Sequence, residues 1–348
     1  MNPAPIQHRH AGHCETGVSS ILLQAAGLAL SEAMVLGLSG GLTFAHLPFV
    51  RINELPLTSY RMPPGRIYRG LARRIGVRWE QQRFRSPQVG MAALDAQLEQ
   101  GRAVGLQASV YWLPYFPEAM RFHFNAHNLI VYGRDGDDYL VSDPVFEQPQ
   151  RCPAEALQRA RFVRGALAPK GLMYWPTAVP AVVDLHQVFR PAVRKTANMM
   201  LRAPIPFIGV KGIRLLASRM QRVATRQDDR YLRLYLGQIV RMQEEIGTGG
   251  GGFRFMYAAF LQECAKDMER SDIAEVAEQM TAAGDAWRRF AVACARQIRS
   301  RQPVDLCDPV TALDAVAALE RQTFQGLLAV TRPAARRQAL PIESQKTV

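Results

Sequence analysis

Two short β-forming runs, HNLIVYG and DYLVSDP, flank a turn rich in glycine and aspartate between residues 127 and 144. This pattern folds as an antiparallel hairpin, and it is the most restrictive local signal in the chain. A turn centred on Asp135 sets Tyr132 opposite Asp138 and, in the same register, His127 opposite Asp143. Directly opposed residues share a face, with Cβ atoms about 4.5–5.5 Å apart. The hairpin alone therefore predicts an imidazole beside a carboxylate. A core histidine and a turn aspartate before Pro144 are the ordinary readings of the same two residues. His123, four residues earlier, is the competing base.

A histidine oriented by a carboxylate is a general base in search of a nucleophile. The chain has five cysteines, Cys14, Cys152, Cys264, Cys294 and Cys307, scattered and without a CxxC pair. That spacing excludes a disulfide scaffold and fits a reducing compartment. Cys14 stands where CETGVSSILLQAAGLAL (14–30) should begin a helix, with Val18, Ile21, Leu22 and Ala25 on one face. Unpaired N–H groups and the dipole at a helix start favour a thiolate. The other four cysteines read as small buried hydrophobes. An oxyanion hole would use the Cys14 N–H and one further donor, for which Gln7 is a guess, while His13 should point away. Cys14, His127 and Asp143 are thus the candidate catalytic residues. A cysteine helix followed much later by a His–Asp hairpin is the chain order of papain-like folds.

Around these elements, a loop follows at Gly37, Gly40 and Gly41, MAALDAQLEQG (91–101) predicts a short helix and AVGLQASVYWL (103–113) a strand. Prolines in PTAVPAVVDL (176–185) end the β-rich half. Beyond them 228–246, 271–300 and 308–330 show apolar residues at helical spacing, the last two opening on Ser271–Asp272 and Asp308–Pro309 as capping pairs. The fold class expected is α+β: a papain-like catalytic domain over 1–178, an all-α lid domain over 186–335, and a flexible tail over 336–348. The length of 348 residues, 48% apolar and 21% charged, suits two globular units and excludes a disordered chain.

Charge narrows the partners. The formal net charge is +13, and all but five of the 43 basic residues are arginine. A negative partner follows: nucleic acid, an anionic membrane surface or an acidic protein. Arg66, Arg69, Arg73, Arg74 and Arg78, with Arg214, Arg219 and Arg222, are candidates for the contact. The most apolar stretch, Ile21 to Phe44, contains Ser31, Glu32 and four glycines and makes a poor membrane span. The polar opening, with three histidines in its first 13 residues, carries no export signal, so a cytoplasmic location is expected. Gly249–Gly252 lacks the Lys-Ser/Thr of a phosphate loop and follows no strand, which excludes that nucleotide site. It reads as a flexible connection, or as a closure that turns Arg254 or Tyr257 toward the site.

The stretch GHCETGVSSILLQAAGLALSEAMVLGLSGGLTF (12–44) resembles the N-terminal domain of the BtrH-like family, named for the acyltransferase of butirosin biosynthesis. GTGGGGFRFMYAAFLQECA (247–265) is similar to the helical domain that usually follows. The resemblance implies a papain-like domain that moves an acyl group from a carrier-protein thioester to an amine or hydroxyl. Cys14, His127 and Asp143 match the family's catalytic positions. It further implies no bound cofactor, a phosphopantetheine arm as donor, an acidic acyl carrier protein as partner and a small-molecule acceptor. Nucleic acid and integral membrane contact are not expected, and a homodimer stays open. A thioester or amide hydrolase with the same triad and a non-catalytic basic adaptor are the alternatives.

Overall fold

The structure is a computed structural model that describes residues 3–52 and 54–332. The expected tail, 336–348, lies outside the described residues. The fold is α+β. Helix α1 (Cys14–Ala25) leads into α2 (Glu32–Ser39), then the hairpin β1 (Leu42–Ile52) and β2 (Leu55–Arg61). Next come α3 (Arg66–Ile75), β3 (Arg78–Gln82), α4 (Pro87–Glu99), β4 (Val104–Ala108), β5 (His127–Asp135), β6 (Asp138–Ser142), β7 (Gln150–Pro153), α5 (Ala154–Phe162) and β8 (Met173–Ala178). Six helices follow: α6 (Leu185–Arg202), α7 (Gly209–Ala224), α8 (Asp229–Val240), α9 (Arg254–Asp267), α10 (Ser271–Arg299) and α11 (Cys307–Val330).

Strands β3-β8-β4-β5-β6-β7 form one antiparallel sheet in that order. Alternation along β5 sorts its side chains to two faces. Leu129 and Val131 pack with Leu94 and Leu98 of α4 and Leu157 of α5. Ile130, on the other face, packs with Val18, Ile21 and Leu22 of α1. The helix that carries Cys14 is therefore seated on the sheet that carries His127.

The largest apolar cluster joins Leu23 to Val77 with residues of α6 to α11, so α2, α3 and the β1–β2 hairpin are clad by the later helices. Residues 26–41 differ from expectation. Instead of one helix to residue 30 and a glycine loop, the chain breaks after Ala25 and re-forms as α2, capped by Ser31 at one end and left-handed Gly40 at the other. Gly37 sits inside α2 because a Cβ there would lie 2.1 Å from the Phe260 ring. The strand expected over 103–113 stops at Ala108 and turns into a 3-10 turn at Val110–Trp112, while α8 ends in a π turn, Arg241–Glu245. The expected capping pairs do not cap: α10 starts from Arg270 and α11 from Leu306, neither with a side-chain cap.

Candidate active site

Cys14 is the first residue of α1 and is 6% exposed. Glu32 of α2 fixes the approach to it. Its carboxylate accepts the N–H of Gly12 (2.9 Å), the N–H of His13 (2.7 Å) and the Thr16 hydroxyl (2.6 Å). The Cys14 N–H has no acceptor among the described residues and remains for an incoming oxygen.

His127 opens β5, and its Nε2 donates to Asp143 Oδ2 at 2.7 Å. The pairing is not the one the simple register predicts. The turn lies at Gly136–Asp137, Gly133 pairs with Leu140, and an extra residue at Tyr132 shifts the ladder so that Val131 pairs with Val141. Asp143 lies one residue beyond β6, diagonal to His127 on the same face. Tyr115 Oη donates to Asp143 Oδ2 (2.9 Å) and Val145 N–H to Oδ1 (3.2 Å), so both carboxylate oxygens are held. With Nε2 engaged, Nδ1 is the His127 nitrogen left for the sulfur.

Burial works against the imidazolium, but Asp143 outweighs it, and with the Cys14 sulfur it holds the His127 pKa up at about 10. Burial also disfavours the Cys14 thiolate; the neighbouring imidazoles of His13 and His127 overcome it and keep the thiol well below its ordinary value. Both shifts favour the thiolate–imidazolium form of the pair. The remaining cysteines contrast with it. Burial pushes the Cys152 and Cys264 thiols up to about 12 and the Cys294 thiol higher still. Cys307, expected to be buried, is exposed at the start of α11.

Three further residues join the site: Asn128 and Tyr174, which the sequence did not single out, and His13, which was expected to point away. Asn128 Nδ2 donates toward the Cys14 sulfur at 3.9 Å, and the Tyr174 hydroxyl donates to Asn128 Oδ1 at 2.9 Å, which fixes the amide's orientation. Asn128 follows His127 directly, so it projects from β5 to the α1 face. His13 does not point away: it is 3% exposed, its Nδ1 caps α1 by accepting the Thr16 N–H, and Phe253 meets its ring edge-on at 5.1 Å. The adjacency of His13 to Cys14 was the available signal. Gln7 is exposed and bonded to Gln24, away from the sulfur, and His123 is exposed and stacked on Tyr111.

The glycine-rich loop reaches the same place. Gly249 packs against Gly12 and Gly247 against His13. Gly252, at φ 58°, leaves no room for a Cβ, which would lie 2.3 Å from the Tyr60 ring. Arg254 does not turn toward the site; it is buried on Glu320, and Tyr257 lies in the core of the later helices.

With this geometry in place, comparison with known proteins identifies the chain's relatives. Residues 13–144 match the family described as Butirosin biosynthesis protein H, N-terminal. The first domain belongs to the BtrH family. Residues 155–327, which include the 247–265 stretch, match a family described as Domain of unknown function (DUF4872). A solved structure described as a C39-like peptidase from Bacillus anthracis is similar at 12% identity and a TM-score of 0.37, over 52% of this chain and 100% of that one. No curated protein matches the chain. The BtrH-type domain presents the layout of a cysteine-dependent enzyme: a cysteine at a helix start against an antiparallel sheet that supplies a histidine. Among the described residues no helix is long and apolar enough to cross a membrane.

Proposed function

We propose that the protein is an acyltransferase that takes an acyl group from a phosphopantetheine thioester of a carrier protein and passes it, through an acyl-enzyme on Cys14, to an amine or hydroxyl acceptor. One observation carries the reading: the Cys14 and His127 side chains form an almost fully buried pair, with an aromatic ring against the imidazole. Cys14 and His127 are 6% and 4% exposed, and Phe116 lies edge-on to His127 at 5.4 Å. Exchange of one thioester for another is nearly isoenergetic, so such an enzyme gains chiefly by excluding water until the acceptor arrives.

In this reading the Cys14 sulfur adds to the thioester carbonyl, and the departing thiol takes its proton from His127 Nδ1. The acceptor then attacks the acyl-enzyme while the same nitrogen removes its proton, and the Cys14 thiolate is released. Asp143 keeps the ring oriented and compensates its charge throughout. An acidic carrier suits the basic surface. Arg66 and Arg73 are exposed on α3, whose first turn donates the Gly65 and Ile67 N–H groups to Glu15, the neighbour of Cys14.

Intact-mass spectrometry after incubation with a series of acyl-carrier thioesters tests this directly. The expected result is a single acyl adduct, absent in Cys14→Ala and discharged by one or more members of an amine panel. Free acid as the sole product with every amine means hydrolysis instead. No adduct with any thioester, and full function in Cys14→Ala, means a non-catalytic adaptor.

A further inference from the structure

His13 holds an uncommitted hydrogen beside the nucleophile. Its Nδ1 accepts the Thr16 N–H at 3.3 Å. The Thr16 hydroxyl, 3.1 Å from the same nitrogen, directs its own hydrogen to Glu32 Oε1 at 2.6 Å. A neutral imidazole that accepts at one nitrogen carries its proton on the other, which here is Nε2. That atom is buried and has no hydrogen-bond partner among the described residues. A buried donor in this state calls for an explanation, and beside a nucleophile a catalytic role is one.

The surroundings hold the ring in place. Phe253 packs edge-on against it, and the backbone at Gly247 lies against Cδ2, the carbon bonded to Nε2, so closely that a Cβ there would be 3.6 Å away. Other donors near the sulfur are committed. Glu32 takes the N–H groups of Gly12 and His13, and Asn128 Nδ2 serves Ala126 O at 3.2 Å as well as the sulfur. With His127 Nδ1 serving the sulfur, the Cys14 N–H and His13 Nε2–H stand without an acceptor among the described residues.

We infer that His13 Nε2–H and the Cys14 backbone N–H together receive the oxyanion formed when Cys14 adds to an acyl carbonyl, which makes His13 a second catalytic histidine. The inference rests on the acyl-transfer reading above. As the C–S bond forms, the carbonyl π pair moves onto oxygen, and both groups donate hydrogen bonds to it without losing their protons. When the adduct collapses, the carbonyl re-forms, the bond to the donor sulfur breaks, and the leaving thiolate is protonated from His127. His13 ends the cycle as it began.

The test compares two reactions of the same sulfur. Acylation by an N-acetylcysteamine thioester passes through an oxyanion, whereas alkylation by iodoacetamide does not. Both rates are taken on the alkaline plateau of their pH profiles, so that a change in thiol acidity drops out. His13→Asn keeps a side-chain acceptor for the Thr16 N–H but is too short to present the distal donor. The expected result is acylation about 10²–10³-fold slower with alkylation little changed. Should that variant melt lower than the parent, His13→Phe, which preserves the ring against Phe253, supplies the same comparison. Unchanged acylation, or acylation and alkylation falling together, overturns the assignment. A parent protein that alkylates normally but never forms an acyl adduct overturns the acyl-transfer reading first, and this inference with it.

Discussion

Asp143 Oδ2 accepts from His127 Nε2 at 2.7 Å across a ladder that slips by one residue at Tyr132. Below the slip Gly133 faces Leu140; above it Val131 faces Val141. Had the lower register continued, the residue after Ser142 would lie opposite Ile130 and present its side chain to the α1 face, away from His127. The bulge is what gives the base its carboxylate.

Replacing that carboxylate tests its electrostatic share. Asp143→Asn keeps the shape but removes the charge that holds His127 at about 10, so the ring pKa should fall toward its ordinary 6.5. A raised pKa stabilises the folded state through the protonated ring. That contribution is complete below pH 6.5 and is lost as pH climbs to about 10. The lowered Cys14 thiol works in the opposite sense, gaining stability as pH rises, so the comparison is made in Cys14→Ala. There urea unfolding should show stability falling as pH rises above 6.5, and adding Asp143→Asn should leave it nearly level. Acylation of Cys14 should slow by about 10²–10⁴-fold, as expected when the orienting carboxylate of a triad becomes an amide.

Asn128 depends on a residue from a strand two places away in the sheet. Tyr174 is buried, its phenol pushed well up by burial, so it stays a donor to Asn128 Oδ1. Tyr174→Phe leaves that oxygen unpaired in the interior, at a cost of about 1–3 kcal/mol. It also frees the amide to rotate away from the sulfur. Thermal unfolding should register the first effect and a several-fold slower iodoacetamide reaction the second; an unchanged alkylation rate separates Asn128 from the thiolate.

What the sequence disclosed followed from local rules. The hairpin, the helix start at Cys14 and the helical second half are written in alternation and period, and each needs only neighbours within a few residues. The slip at Tyr132 has no composition of its own, so the facing of Asp143 could be anticipated but not its register. Asn128 reads as an ordinary strand residue until Tyr174, 46 positions on, is brought to it. Gly37 misled in a different way: glycine inside α2 lowers helix propensity, yet the close approach of Phe260 requires it. His13 was misplaced because the role of its distal nitrogen depends on Phe253 and Gly247, which only the tertiary fold delivers.

Deep in the later helices, Arg254 Nε donates to Glu320 Oε1 at 2.6 Å, and Trp287 Nε1 donates to the same oxygen at 2.8 Å. All three side chains are buried. Arg254→Met strands the Glu320 charge and should cost about 3–5 kcal/mol of unfolding free energy. Arg254→Met with Glu320→Gln keeps an acceptor for Trp287 and removes the stranded charge, so part of the loss should return. Calorimetry of the single and double variants measures the difference. Because Phe253 adjoins Arg254 and packs on His13, the single variant should also slow acylation, which a purely remote ion pair would not do.

The basic surface makes a prediction that separates docking from chemistry. Lys195 is half-buried, and its pKa is lowered to about 8 by burial and by the charges of Arg74, Arg73 and Arg66. These cations repel one another, and an acidic partner would relieve that repulsion. Arg74 is partly occupied with the Ser39 and Gly70 carbonyls, which leaves the exposed Arg66 and Arg73 as the better contacts. Arg66→Glu with Arg73→Glu should lower kcat/KM for a carrier-bound acyl donor by about tenfold or more at low salt, and the gap should narrow as ionic strength rises. The same variant should acylate at the parental rate from a small pantetheine thioester, because neither arginine touches Cys14, His127 or Asp143. Equal losses with both donors would mean that the substitutions disturb the site, and no loss with either would place the carrier elsewhere on the protein.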